Sequence, residues 1–180
     1  MEKSAEYELK LKIDDPEEVR KKLSYLGASF QGAIIEIDHY YQHPCRDFSE
    51  TDEALRVRDL GGIIELTYKG PREKAEIKAR EEVTARVVKE DLEKLKLILE
   101  KLGFTPLARV VKQREVYLYD PYLITIDNVE DLGTFMEIEL RTRRVSREEA
   151  ENMIRDFLET LGIMGEKVEK TYLEMILEKR

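Results

Sequence analysis

Carboxylates and cations alternate with apolar residues in one stretch of this chain after another. The first is Glu6-Tyr7-Glu8-Leu9-Lys10-Leu11-Lys12-Ile13. A strand sends successive side chains to opposite faces, so Glu6, Glu8, Lys10 and Lys12 share one face and Tyr7, Leu9, Leu11 and Ile13 the other. The pattern returns at Arg56 and Arg58, at Glu65 and Lys69, at Lys78, Arg80 and Glu82, at Lys112 and Arg114, at Asp127, and at Glu137 and Glu139. Carboxylates with no Cys or His among them suit hard cations such as Mg²⁺ or Mn²⁺. Several Lys and Arg together suit a polyanion with phosphate-like oxygens. His39, His43 and Cys45 lie close together in the chain, but their spacing is read as structural or surface rather than as a zinc site.

The elements that would carry these residues are strands and a few amphipathic helices. Asp15-Pro16 starts a helix that repeats Val19, Leu23 and Leu26 and stops at Gly27; a second runs from about Lys89 to Leu102 and stops at Gly103. Ser146 with Glu149 forms a capping box for a third helix reaching Leu161, and Val168–Lys179 reads as a last one. Strands are expected over 6–13, 33–41, 55–58, 63–69, 76–84, 110–119, 122–129 and 134–143, with Gly61-Gly62 as a hairpin turn and 44–53 as a polar loop. Aligning Gly27 with Gly103 superposes two strand-helix-glycine-strand units, so a single domain over 1–180 is expected, with two pseudo-repeated halves at about 1–78 and 79–180.

Alternation alone fits a solvated sheet face as well as a charged interior. Each helix, however, has an apolar stripe to bury and needs an apolar sheet face. If about eight strands curl into a barrel, the outer face serves the helices and the charges line the inside, the reverse of an ordinary soluble barrel. The expected fold is therefore α+β: a closed eight-stranded antiparallel β-barrel with a charged interior and helices packed outside. Such an interior must hold water, metal and anion, because an unpartnered buried ion costs several kcal/mol, roughly.

Composition narrows the setting. The 180 residues suit one medium domain with a proper core. A formal charge of −8, from 39 acidic and 31 basic residues, argues against nucleic-acid binding through a basic surface. A single cysteine points to a reducing, cytoplasmic setting, and neither a signal peptide nor a membrane span is expected. Abundant Glu and Lys with little Gln and Asn resembles proteins of hot environments.

Taken in order, Glu6-x-Glu8-x-Lys10, Asp38-His39-Tyr40-Tyr41, Leu55-Arg56-Val57-Arg58, Thr67-x-Lys69, Lys112-x-Arg114, Ile126-Asp127, Leu132-Gly133-x-Phe135-x-Glu137-x-Glu139 and Lys170-Thr171-Tyr172 resemble the CYTH domains, or triphosphate tunnel metalloenzymes. The Asp-x-Tyr-Tyr and Leu-Gly-x-Phe elements look most like the class IV adenylyl cyclase branch. The resemblance implies an eight-stranded tunnel that takes a triphosphate end-on, with divalent metal at one wall.

Carried onto this chain, Glu6, Glu8, Asp127, Glu137 and Glu139 are expected as metal ligands. Lys10, Arg56, Arg58, Lys69, Lys78, Lys112, Arg114 and Lys170 are expected as the triphosphate-binding set. Arg80 and Glu82 would pair with neighbours, while Tyr40 beside Lys10 is the candidate catalytic pair. The implied activity is ATP cyclisation to cyclic AMP and pyrophosphate with Mg²⁺ or Mn²⁺. The alternatives are hydrolysis of inorganic, nucleoside or thiamine triphosphate and, from another class, non-catalytic binding of a polyphosphate or nucleotide. The expected partner is ATP or inorganic triphosphate, and a homodimer is implied by the cyclase-like branch alone.

Overall fold

The computed structural model describes residues 7–72, 80–142 and 145–179. Its strands are β1 (Tyr7–Lys12), β2 (Ser29–Gln42), β3 (Ala54–Asp59), β4 (Ile63–Arg72), β5 (Arg80–Val88), β6 (Thr105–Tyr119), β7 (Tyr122–Val129), β8 (Gly133–Leu140) and β9 (Glu166–Lys167). Its helices are α1 (Pro16–Tyr25), α2 (Phe48–Thr51), α3 (Leu92–Lys101), α4 (Arg147–Leu161) and α5 (Tyr172–Glu178).

All nine strands join one sheet in the order β5-β4-β3-β2-β6-β7-β8-β1-β9. The α+β class holds; among the described residues the sheet has nine strands rather than eight and hydrogen bonds do not close it, so a closed barrel is not shown. Closure needs the first and last strands to exchange bonds. Here β1 pairs with β8 along one edge, and its other edge receives the two-residue β9 through Leu11↔Lys167 and Lys12↔Glu166.

Helix ends follow the expected chemistry. The Asp15 side chain accepts from the Glu18 N–H at the start of α1. Capping boxes open α4 at Ser146/Glu149 and α5 at Thr171/Glu174, and the second starts the last helix later than the apolar pattern alone suggests. The helices that stop at Gly27 and Gly103 close alike. Leu26, Gly27 and Ala28 donate to the carbonyls of Lys22, Ser24 and Leu23; Leu102, Gly103 and Phe104 donate to those of Ile98, Glu100 and Leu99 in the same pattern. Within the expected polar loop at 44–53, Asp47 accepts from the Ser49 N–H and Phe48 is buried, which winds the single-turn α2.

The described residues fall into two compact units, one of 7–33 and 113–169, the other of 34–72, 80–112 and 170–179. In the first, Leu11, Ile124, Ile126, Met136 and Ile138 form the apolar sheet face and pack with Val19 and Leu23 of α1 and Ala150, Ile154, Phe157 and Leu161 of α4. In the second, Tyr41, Leu55, Val57 and Ile64 pack with Phe48, with Leu99 of α3 and with the flanking Leu92, Leu95 and Phe104. In both units helices cover the apolar parity of the strands, which leaves the charged parity on the other face.

Candidate functional site

Register decides which side chains meet. In the first unit Lys10 stands opposite Glu137, Glu137 opposite Thr125, and Glu8 opposite Glu139. Lys10 is buried and its Nζ lies 3.2 Å from Glu137 Oε1. Arg114 donates from Nε to Asp127 Oδ1 at 2.7 Å and from Nη2 to both Asp127 Oδ2 and Glu137 Oε2. Asp127 is fully buried and held by this bidentate bond. Glu139 is different: burial, reinforced by the negative charge of Glu8 across the register, pushes its carboxyl above the ordinary value.

The second unit holds most of the expected cations. Asp38 faces Arg58 and Tyr40 faces Arg56. Arg58 grips Asp38 through Nε–Oδ1 at 2.6 Å and Nη2–Oδ2 at 2.8 Å. Its Nη1 and the Lys112 ammonium each lie 3.0 Å from Glu36 Oε2. Burial alone would raise the Asp38 carboxyl; the Arg58 bonds and charge outweigh it, with help from Arg56 and Lys112, and hold it at about 2. The Tyr40 phenol is pushed up to about 12, first by burial and then by the Asp38 charge, so it stays protonated across the neutral range. A protonated phenol there can donate a hydrogen bond.

Lys69 pairs with Glu82, as expected for Glu82. Arg72 closes the same unit by bonding Asp52 and Glu174 of α5. Lys170 is more than half exposed and pairs with Glu178 at the surface, so it is not among the buried polar residues of its unit. Glu6 and Lys78 lie outside the described residues, as does the Arg80 side chain.

Arg56 stands apart. Its side chain is 9 % exposed, no carboxylate among the described residues pairs with it, and its Nε has no hydrogen-bond partner. A buried guanidinium left this way is a ready anion receptor, because the desolvation cost is already present and a phosphate oxygen would offset it.

Sequence parity assembled the cations and carboxylates but missed Glu36, the partner of two of them. Extending the β2 alternation two residues back from Asp38 would have reached it. Thr125 carried the right parity but, being uncharged, was not chosen.

The carboxylate oxygens suit a hard divalent cation, and one near Glu8 and Glu139 would relieve their mutual repulsion. Among the described residues no group of three or more His, Cys, Asp or Glu is arranged as a complete metal site, and Glu6 is outside that set. Among the described residues no helix is long and apolar enough to cross a membrane.

The chain is similar to known proteins. A Methanocaldococcus jannaschii protein that bears adenylate cyclase as a provisional name is 39 % identical over 173 residues, covering 94 % of this chain and 97 % of its own. Among solved structures, the PH1819 protein of Pyrococcus horikoshii has a TM-score of 0.83 and 39 % identity and covers 97 % of this chain and 99 % of its own. An adenylyl cyclase-like protein of Hippeastrum, whose description reports a dominant triphosphatase activity, shares the fold at a TM-score of 0.75 and 17 % identity, with 98 % of this chain and 96 % of its own covered. The CYTH domain profile matches residues 4–172, and the chain belongs to that family.

Proposed function

We propose that this protein is a divalent-cation-dependent enzyme acting on a triphosphate, with adenylyl cyclase chemistry as the first reading. The observation that carries it is Arg56, a buried guanidinium with no carboxylate partner among the described residues. Arg58, Lys69, Lys112 and Arg114 are each paired with a carboxylate, which fixes their positions while leaving positive charge to face a ligand. The eight-stranded tunnel belongs to this reading as the form in which the chain takes its substrate. Lys78 and Lys170 remain proposed triphosphate contacts, and Glu6, Glu8, Asp127, Glu137 and Glu139 remain the proposed metal ligands. A bound Mg²⁺ or Mn²⁺ supplies Lewis-acid stabilisation of charge developing on the phosphoryl oxygens.

In the cyclase reaction the 3′-oxygen of ATP bonds to the α-phosphorus, the bond to the β-phosphate oxygen breaks, and pyrophosphate and one proton are released. The cyclase names borne by relatives of this chain support this as the first reading. Hydrolysis of a terminal phosphate is the second reading, prompted by the triphosphatase activity reported for the Hippeastrum protein of the same fold.

Product analysis separates the readings. Purified protein with Mn²⁺ and ATP should yield cyclic AMP and pyrophosphate; orthophosphate without a cyclic product would move the assignment to triphosphatase, and binding without turnover to a non-catalytic receptor. Glu8→Gln should abolish cation-dependent turnover while leaving the circular dichroism spectrum unchanged. Glu137→Gln is a less clean probe, because Glu137 also neutralises Lys10 and Arg114.

A further inference from the structure

Among the described residues of the first unit, a buried hydroxyl on the charged sheet face makes no hydrogen bond. Thr125 is 4 % exposed, and its Oγ1 makes no hydrogen bond. It stands in register opposite Glu137 and two residues before Asp127 on the same strand face. A threonine in the second unit shows the ordinary outcome for such a position: Thr67 is fully buried, and its hydroxyl bonds that of Thr84 at 3.0 Å. Sequence has no trouble supplying a partner for a buried threonine, and at Thr125 it supplies none. The Glu137 oxygens, which would otherwise accept, are drawn to Lys10 and Arg114.

Leaving a buried hydroxyl unsatisfied destabilises the ligand-free protein. We infer that Thr125 is a positioning residue for the metal site: its hydroxyl holds a water molecule bound to the divalent cation beside Glu137. A hydroxyl both donates and accepts, as a water bridging to a carboxylate-held cation requires, and Glu137 across the register and Asp127 two residues on, which also pair with Lys10 and Arg114, supply the carboxylate oxygens that suit a hydrated hard cation. Partners of this kind, bonded to ligands and bound waters rather than to the metal itself, commonly control affinity by 10–100-fold, roughly. The inference rests on the proposed cation dependence and adds to it a residue outside the charged motifs.

The test is Mn²⁺ binding to the full chain, without substrate, by isothermal titration calorimetry and by the electron paramagnetic resonance signal of free Mn²⁺, together with thermal melts of the metal-free protein. Thr125→Val removes the hydroxyl at nearly constant shape. It should weaken Mn²⁺ binding by roughly tenfold or more and raise the melting temperature of the metal-free form by about 2–4 °C, because an unsatisfied group is removed. Thr125→Ser keeps the hydroxyl and should keep the affinity. A merely structural threonine would give the opposite melt, a destabilised Val variant, and that result overturns the assignment. Unchanged Mn²⁺ affinity in Thr125→Val, with the unaltered protein binding normally, also overturns it and leaves the cation reading intact. Absence of Mn²⁺ binding by the unaltered protein overturns both.

Discussion

Neighbouring arginines of the same strand have opposite energetics. Arg58 satisfies two buried carboxylates, whereas Arg56 is buried with its Nε unbonded. Replacing Arg58 with Met strands Asp38, leaves Glu36 to Lys112 alone, and should cost about 3–5 kcal/mol of stability, measurable by urea denaturation. Arg56→Met should cost little or no stability yet weaken inorganic triphosphate binding by roughly 10–100-fold in a calorimetric titration, the equivalent of one lost charge-assisted contact. Equal stability losses in the two variants would contradict the distinction. Asp38 adds a pH dependence. Its folded carboxyl sits at about 2 against an ordinary 3.8, so its contribution is complete above about pH 4 and is lost as pH falls through 2. About 2 kcal/mol of stability should disappear across that window in denaturant melts. Asp38→Asn should flatten that part of the profile.

At the scale of elements, the two helix ends at Gly27 and Gly103 share a bonding pattern but not a setting. Both glycines have positive φ, +81° and +90°. A side chain at Gly27 would meet nothing within 4 Å, so Gly27→Ala pays the left-handed backbone cost alone, about 1–2 kcal/mol. At Gly103 a Cβ would also lie 3.2 Å from the Pro44 Cβ. Gly103→Ala should therefore shift the urea midpoint further than Gly27→Ala, and an equal shift would show that the Pro44 loop yields freely. The same reasoning explains which element boundaries were readable. Glycine stops, a proline at the first helical position and Ser-x-x-Glu caps act within a few residues, so α1, α3 and α4 follow from local sequence. The α2 turn was hidden because its cause is the burial of Phe48 against Leu55, Val57 and Leu99, which lie elsewhere in the chain.

Across the whole molecule, alternation with constant parity determined the face on which the charged residues stand, and the ordered motifs carried the resemblance to the family. That face follows from strand geometry: the period of two is local and survives any arrangement of the strands. The same parity placed Lys10, Arg56, Arg58, Lys69, Lys112, Arg114, Asp127, Glu137 and Glu139 among the polar groups of the two units. Tertiary structure alone decided how these charges are apportioned. Arg114 is taken by Asp127 and Glu137, Arg58 by Asp38 and Glu36, Lys170 is left at the surface with Glu178, and the Arg56 Nε and the Thr125 hydroxyl make no hydrogen bond. Sheet closure likewise depended on whether the outermost strands exchange hydrogen bonds, and the short β9 takes the edge of β1 instead. Residue types and spacing determine which groups share a face. Pairing depends on distances of a few ångströms between strands remote in sequence, and those exist only once the chain has folded.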